Sequence, residues 1–292
     1  LTKKLKTYVD AILKTICRRT GRLHASFNQT GARTGRLSSS NPNLQNQPTY
    51  IRSAYIARPG WRLWVADYSQ LEMRILAHIS GDETLINAIN SGQDVHTATA
   101  AKMFRVPYEE IMEARRLDDE GAELTERHKE LLHYRKAAKT INFGLMYGQG
   151  AGALAYALGI SLDEAKAFIK QYFATFPKVT KYFERAIASA TAIGYCQTIL
   201  GRRRQVAGLT SWVRMDRSSD ARKVKNSPIQ GTAADICKLA MIKMWEDPVV
   251  EASGALMLAQ VHDELVFEIP EDMEFNDLLN ERLISLMTHP LN

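Results

Sequence analysis

The segment Val65–His78, VADYSQLEMRILAH, constrains this chain more than any other. A short apolar run, Leu63-Trp64-Val65-Ala66, reads as a buried strand and stops at Asp67. Leu71, Ile75 and Leu76, with Ala77 and Ile79 beside them, then carry a helical apolar stripe. Asp67 is therefore expected at a strand-to-helix corner. A carboxylate there either caps a helix or turn, or binds a hard cation such as Mg²⁺ at the exposed end of the strand. A second apolar run, Ala255–Ala259, leads into Gln260-Val261-His262-Asp263-Glu264 and on to Leu265–Ile269. That is the pattern of a β-hairpin with a carboxylate pair at its tip. If the two tips meet, Asp67 and Asp263 make a two-metal clamp for in-line phosphoryl transfer.

Bulk properties bound the remaining possibilities. A length of 292 residues allows a real core and about one or two domains. A hydrophobic fraction of 45% and a charged fraction of 24% are those of a soluble globular protein. The net charge of +6 mildly favours an anionic partner such as nucleic acid. Cys17, Cys196 and Cys237 show no metal-ligand spacing, and an odd count without a signal peptide fits a reducing, cytoplasm-like compartment. No apolar run approaches the roughly 18 residues a membrane-spanning helix needs, so no membrane partner is expected. The chain begins at Leu1 and reads as a piece of something longer.

Taken in order, Leu1–Arg19 is basic and helix-like, with Leu5, Tyr8, Val9, Ile12, Leu13 and Ile16 on one side. It is either a solvated amphipathic helix or a phosphate contact. Arg22–Asn28 alternates like a strand. The polar loop Thr30–Pro48 follows, too rich in glycine, serine, asparagine and proline for regular structure. It is a surface linker, or else Arg33 and Arg36 among its amide side chains touch phosphates and minor-groove edges. Ile51–Ile56 resumes strand character. Asp82–Asn90 is a short helix, and Asp94-Val95-His96 opens another running to Phe104, with His96 a cap neighbour or a phosphate contact. Glu109–Glu130 is dense in charge and split by Gly121 into two solvated helices.

In Leu131–Gly148, Arg135, Lys139, Phe143 and Tyr147 recur every four residues and so share one gradually turning helix face. Two cations, a ring and a phenol in a row describe a nucleotide site, or a basic helix whose aromatics enter the core. The glycines at 144, 148, 150 and 152 then make a hinge or a place of close approach. Ser161-Leu-Asp-Glu164 is a capping box for a helix ending near Phe176-Pro177, and Lys178–Ile193 is a helix stopped by Gly194. Tyr195–Val206 reads as a hairpin with a basic tip. Ser218–Trp245 is a long helix that Pro228 should kink, with Arg222, Asn226 and Gln230 on one face. Phe275–Met287 is a closing amphipathic helix.

Four stretches, ADYSQLEMR, RKAAKTINFGLMYG, NSPIQGTAAD and VHDELVF, in that order, resemble the polymerase module of family A DNA polymerases of the bacterial DNA polymerase I type. TGRLSSSNPNLQNQP and TILGRRR add to the likeness, which covers nearly the whole chain. The resemblance implies an α+β, right-hand polymerase fold with an antiparallel palm sheet and mostly helical fingers. It implies the end of the thumb over 1–20, palm over 21–93 and 216–292, and fingers over 94–215.

The resemblance also implies roles. Asp67 and Asp263, with the Tyr68 carbonyl, hold two Mg²⁺ ions, for which Mn²⁺ can substitute, and Glu264 sits beside them without being an obligatory ligand. Arg135, Lys139 and His96 hold the triphosphate with Gln70 nearby, and Lys139 also protonates the leaving group. Glu72 fills the space a ribose 2′-hydroxyl needs; a bulky carboxylate beside C2′ penalises the extra oxygen. Phe143 packs on the incoming sugar and base, and members with Phe here tend to reject dideoxynucleotides. Tyr147 stacks at the templating position. Arg36, Asn43, Gln45, Arg222, Asn226, Gln230 and His262 follow primer–template DNA. The implied activity is DNA-directed DNA synthesis from deoxynucleoside triphosphates, in replication or repair, in the cytoplasm of a bacterial or phage-infected cell.

The chain departs from the family pattern in three ways. The charged Glu109–Glu130 stretch is longer than in the bacterial enzyme, which suggests a phage-like or divergent branch. There is no 3′–5′ exonuclease domain and most of the thumb is missing. The chain also stops before the last palm strand, so further polypeptide is expected to supply these parts. A non-catalytic DNA-binding fragment of a split or truncated polymerase is the alternative. A single-subunit RNA polymerase shares the hand architecture, and Glu72 argues against it.

Overall fold

The structure is a computed structural model that describes residues 9, 11–271 and 273–291. Residues 1–8 and 10 of the basic helix expected over Leu1–Arg19 lie outside that description. The chain divides into two compact units, Leu1–Leu71 with Gln230–Asn292, and Glu72–Ile229.

The first unit is built on a three-stranded antiparallel sheet in the order β3 (Trp61–Asp67), β7 (Glu264–Pro270), β6 (Leu256–Val261). The central strand β7 alternates as a half-buried strand should. Leu265, Phe267 and Ile269 are buried on one face. They pack with Leu279, Leu283, Leu286 and Met287 of the closing helix, α13 (Met273–Thr288), and with Met244 and Val250. Each such side chain contributes roughly 1.5–3 kcal/mol of burial. Glu268, between Phe267 and Ile269, is fully buried yet paired: Arg22 and Arg58 bridge it at 3.2 and 3.3 Å, and the Arg58 amide donates to it at 2.9 Å. Burial works against its charge, but these bonds hold its carboxyl below the usual range.

The N-terminal part of this unit holds α1 (Ala11–Leu13) and a small antiparallel pair, β1 (Ser26–Asn28) with β2 (Ser38–Ser40). The strand expected over Arg22–Asn28 is thus confined to its last three residues. Ile51–Ile56, expected as a strand, is not one. Pro48 precedes α2 (Thr49–Arg52), and turns follow it. Ile56 is 84% exposed, so the apolar alternation there marks no buried face.

The second unit is helical apart from one hairpin. After α3 (Leu71–Ser80) come α4 (Glu83–Asn90), α5 (Val95–Phe104), α6 (Tyr108–Asp119) and α7 (Glu126–Met146). Side chains cap three of these helices. Asp82 accepts from Thr84 and Leu85, Asp94 accepts from Thr97, and Thr125 and His128 form a capping box. Ala100, Ile111, Ala114, Leu131 and Ala138 join α5, α6 and α7 in one core. Gly121, at φ 70°, separates α6 from α7 as expected, and the charged stretch is laced with exposed pairs such as Arg116–Glu113 and Arg127–Glu130. Such pairs contribute about 0–1 kcal/mol each and organise no site.

The remaining elements are α8 (Ala151–Leu158), α9 (Leu162–Thr175), α10 (Pro177–Ile193), the hairpin β4 (Tyr195–Gln197)–β5 (Arg203–Gln205), a short 3₁₀ helix (Ala207–Thr210), α11 (Arg214–Glu246) and α12 (Pro248–Ser253). Ser161 and Glu164 form the expected capping box, and Gly194 ends α10 at φ 82°. Pro228 lies inside α11, whose helix is continuous around it, and the unit boundary falls between Ile229 and Gln230. The α+β class is as expected: mostly helical, with small antiparallel sheets.

Candidate functional site

Antiparallel register brings the two acidic stretches together. Asp67, the last residue of β3, pairs with Glu264, the first of β7, and the Tyr68 amide donates to the Asp263 carbonyl at 3.2 Å. β6 and β7 are joined by the two-residue turn His262-Asp263. Its first residue sits at φ 60°, as tight hairpin turns with primed geometry require. Gln70, just before α3, sits at φ 54°. Non-glycine residues adopt this region infrequently and at a cost of roughly 1–3 kcal/mol. Two of these strained residues therefore flank the carboxylates.

Charge is concentrated at this end of the sheet. Burial first, then the neighbouring Asp263 and Glu264 carboxylates, push the Asp67 carboxyl up to about 6, against an opposing pull from Arg52. Arg52 binds Glu264 directly at 2.8 Å. Behind the acids, the buried Cys237 thiol is pushed up to about 12 by burial and by the charges of Asp263 and Asp67, with Arg36 acting in the opposite sense. The Tyr68 hydroxyl anchors the corner by donating to the Met287 carbonyl at 2.9 Å.

This donor set fits Mg²⁺. All its donors are hard oxygens, and the carboxylates crowd one another until one gains affinity for a proton, a state that a bound cation relieves. Among the described residues no group of three or more His, Cys, Asp or Glu side chains forms a metal cage. One or two carboxylates completed by substrate phosphates and water is the usual arrangement for Mg²⁺.

In the second unit, α7 carries Arg135 and Lys139, and α5 faces them with His96. Arg135 donates to Thr97 Oγ1 at 3.0 Å and pairs with Asp94 Oδ2 at 3.0 Å, while Arg115 approaches the same oxygen at 3.5 Å. Burial opposes ionisation of Asp94, but the Thr97 bonds and the Arg135 charge hold its carboxyl below the usual range. Lys139, one turn on, is exposed. His96 is buried, its ring 5.2 Å from that of Phe143. Burial, aided by Arg135 and Lys139 against Asp94, pushes it down to about 4, so it is neutral at pH 7. Phe143 and Tyr147 stack at 13° with centroids 6.3 Å apart. The Tyr147 hydroxyl donates to the buried Glu72 at 2.8 Å. The spaced row on α7 is thus one face, as its spacing predicts.

Gly148, at φ 70°, permits a close approach. A Cβ there would lie 2.6 Å from Arg222 Cγ and 3.2 Å from Arg222 Cα, so α11 can pass the end of α7 only beside a glycine.

The residues expected at DNA divide. Arg222, Asn43 and His262 are exposed, and Asn226, Gln230 and Arg36 are half-buried. Gln45 is turned inward instead. Its Nε2 donates to the Gln260 carbonyl at 3.1 Å and to Gln260 Oε1 at 3.0 Å, which ties the polar loop to β6. Its amide is used internally because the loop must satisfy its own polar groups where it is buried. Asn43 Oδ1 accepts from the Gln45 amide at 2.9 Å and shapes the same turn.

Sequence reasoning missed three contributors. Arg52 offsets the acids, Asp94 secures Arg135, and Asn142 contacts His96. An asparagine in mid-helix was a usable signal, because its amide competes with the helical backbone and needs a reason to be there.

Comparison with known proteins agrees with this architecture. The sequence matches the profile of DNA polymerase family A over residues 1–290. It is 47% identical over 278 residues to the thermostable DNA polymerase I of Thermus aquaticus, covering 93% of this chain and 31% of that protein. It is 42% identical over 281 residues to DNA polymerase I of Pseudomonas aeruginosa, covering 94% of this chain and 28% of that one. The fold matches the POL domain of Pol1 from M. smegmatis, solved in complex with DNA primer-template and dNTP, with a TM-score of 0.87 and 40% identity. The match covers 99% of this chain and 48% of that chain. The chain therefore spans about a third of the length of the curated relatives it matches.

Proposed function

The chain belongs to DNA polymerase family A, and on that premise we propose that it performs DNA-directed DNA synthesis, adding dNMP to a primer 3′-hydroxyl with release of pyrophosphate. The observation that carries this reading is the pairing of Asp67 with Glu264 beside Asp263, a crowded carboxylate set suited to divalent cations.

Asp67 and Asp263, with the Tyr68 carbonyl, hold Mg²⁺. When bound, the ions lower the pKa of the primer hydroxyl and neutralise charge on the leaving pyrophosphate. Glu264, already paired with Arg52, steadies this end of the sheet. Arg135 and Lys139 supply positive charge to the triphosphate, with Gln70 as a further polar contact. His96, held neutral by its surroundings, supplies an N–H. The Lys139 Nζ–H donates to the leaving oxygen. Glu72, fixed by the Tyr147 hydroxyl, presents a carboxylate with no room for a 2′-oxygen. Phe143 packs on the incoming sugar and base, and Tyr147 stacks at the templating position. Arg36, Asn43, Arg222, Asn226, Gln230 and His262 contact primer–template DNA, and Gln45 acts by holding the loop that carries Arg36 and Asn43.

In this reading residues 21–93 and 216–292 serve as palm, 94–215 as fingers and 1–20 as the end of a thumb. Replication or repair in the cytoplasm of a bacterial or phage-infected cell is the corresponding setting, and the charged 109–130 stretch supports a phage-like or divergent branch.

The second reading is a non-catalytic DNA-binding fragment. Primer extension with Mg²⁺ and either dNTPs or rNTPs separates the two. Extension with dNTPs only is expected. Tight DNA binding without extension by either set would support the fragment.

A further inference from the structure

The buried side of α7 carries an asparagine that none of these roles uses. Asn142 is fully buried. Its Nδ2 lies 2.9 Å from His96 Nδ1 and 3.2 Å from Thr99 Oγ1, both on α5. A third bond settles the direction of these two. The Thr99 hydroxyl donates to the Val95 carbonyl at 2.7 Å. With its proton committed there, the Thr99 oxygen can only accept, so the amide atom facing it is the NH₂ group. The second N–H of that group points at His96 Nδ1, which must then carry a lone pair. A neutral imidazole that accepts at Nδ1 has its proton on Nε2. Asn142 Oδ1 has no protein partner, so the relay Val95–Thr99–Asn142–His96 orients the amide, not its own oxygen.

We propose that Asn142 is a positioning residue for the nucleotide: by donating to Nδ1 it holds His96 as the Nε2–H tautomer, so that α5 offers a phosphate oxygen one directed N–H in place of a third cation beside Arg135 and Lys139. This rests on the reading of the α5–α7 face as the triphosphate site. The groups facing His96 act in the same sense. Burial and the Arg135 and Lys139 charges from α7 disfavour imidazolium, and Asp94 on its own helix opposes them. The Asn142 bond adds to the effect because it exists only while Nδ1 is unprotonated. The Phe143 ring packs against the imidazole and limits its rotation. The site thus gains a donor without the repulsion of three adjacent positive charges and without taking up a proton when a nucleotide arrives.

The test begins with the unmodified chain, labelled with ¹⁵N-histidine and followed by long-range ¹⁵N–¹H spectra from pH 5.5 to 8 without nucleotide. His96 should show protonated Nε2 and bare Nδ1 throughout. A proton on Nδ1, or a midpoint near that of free histidine, overturns the proposal and leaves the nucleotide site untouched. Asn142→Asp keeps the side-chain shape but turns the donor into an acceptor. The Nδ1 signal should become that of a protonated nitrogen, and KM for dNTP should rise about tenfold with kcat changed far less, as for a misdirected bond to a charged group. In a His96→Gln background the same substitution should leave KM unchanged. A further rise there would mean that Asn142 acts through packing alone, and the proposal fails. If the tautomer is as stated but His96 does not respond to added dNTP, the triphosphate reading fails and the proposed role fails with it, while the hydrogen bond itself stands.

Discussion

At the end of β3, burial and then the neighbouring Asp263 and Glu264 carboxylates give Asp67 a raised affinity for a proton. On α7, Arg135 is already paired with Asp94, and His96 beside it has given up its charge. The two regions prepare for ligands in opposite ways. The acids are held by backbone: a strand register, a two-residue turn and two residues at positive φ. Register and turn fix the backbone positions from which they project. Of the cations, Arg135 is held by a long side chain that has found internal partners, and Lys139 is exposed. Binding a cation at the first region relaxes a stored repulsion, whereas binding an anion at the second must compete with an existing ion pair. The first arrangement suits an ion that must be fixed in place, and the second suits a ligand that must enter and leave.

The largest expected effect tests the first half of that contrast. Asp263→Asn should remove an acid and its repulsion together, lowering primer extension by at least about 10²–10³-fold, the scale on which loss of a preorganised charge costs a reaction. DNA binding, measured by anisotropy, should be retained. Extension near the wild-type rate would end the metal role. Glu72→Ala comes next. This buried carboxylate has a neutral partner, Tyr147, and so represents neither extreme. Its loss should reduce discrimination between dNTP and rNTP by roughly 10–200-fold, as for a small steric difference in a pocket, and leave kcat for dNTP far less altered. Unchanged sugar selectivity would remove the steric argument.

A third effect is read as stability. The Asp67 carboxyl is raised from 3.8 to about 6 in the folded chain, so the folded state binds its proton more tightly than the unfolded state does. Protonation therefore stabilises. With a chelator present, stability should fall as pH rises through that interval, and the loss should be complete above it. Asp67→Asn should melt higher than the parent chain at pH 7.5 and should lose that advantage below about pH 4. Mg²⁺ should raise the melting temperature of the parent at pH 7.5 but not that of the variant. A parent chain and an Asp67→Asn variant with the same pH dependence between pH 4 and pH 6.5 would show that the Asp67 carboxyl is not raised.

Much of this was legible in the sequence because local patterns determine it. The strand ending at Asp67, the hairpin around Asp263, the helix opening at Asp94, the capping box at Ser161 and the four-residue row from Arg135 to Tyr147 are all short-range signals that tertiary packing did not override, although the strand's expected burial fails, with Val65 52% exposed. What the sequence did not reveal shares a cause. Ile51–Ile56 alternates in sequence, but Ile56 faces solvent, and alternation has meaning only where a sheet face is buried. Gln45 sits among exposed loop amides, yet its partner Gln260 lies 215 positions away. Asn142 and His96 are 46 positions apart, and only the packing of α5 on α7 reveals that they touch. Spacing shows which side chains share a face, but not what stands opposite that face.

The smallest effect bears most directly on the second half of the contrast. Asp94→Asn keeps a good N-cap for α5, since asparagine caps as well as aspartate, but it removes the negative partner of Arg135 and Arg115. The Arg135–Asp94 pair is largely shielded from solvent, so its loss should lower stability by about 1–3 kcal/mol, measured by urea denaturation. His96 should stay neutral, because Asp94 is the charge that opposes its neutrality. With the competing carboxylate gone, affinity for a free triphosphate, measured by calorimetry without DNA, should rise a few-fold, about the change expected when one partly shielded charge is removed. If affinity falls instead, Asp94 orients Arg135 for the phosphate and does not compete for it. The cationic face would then be positioned by its carboxylate as firmly as the acids are positioned by their strands.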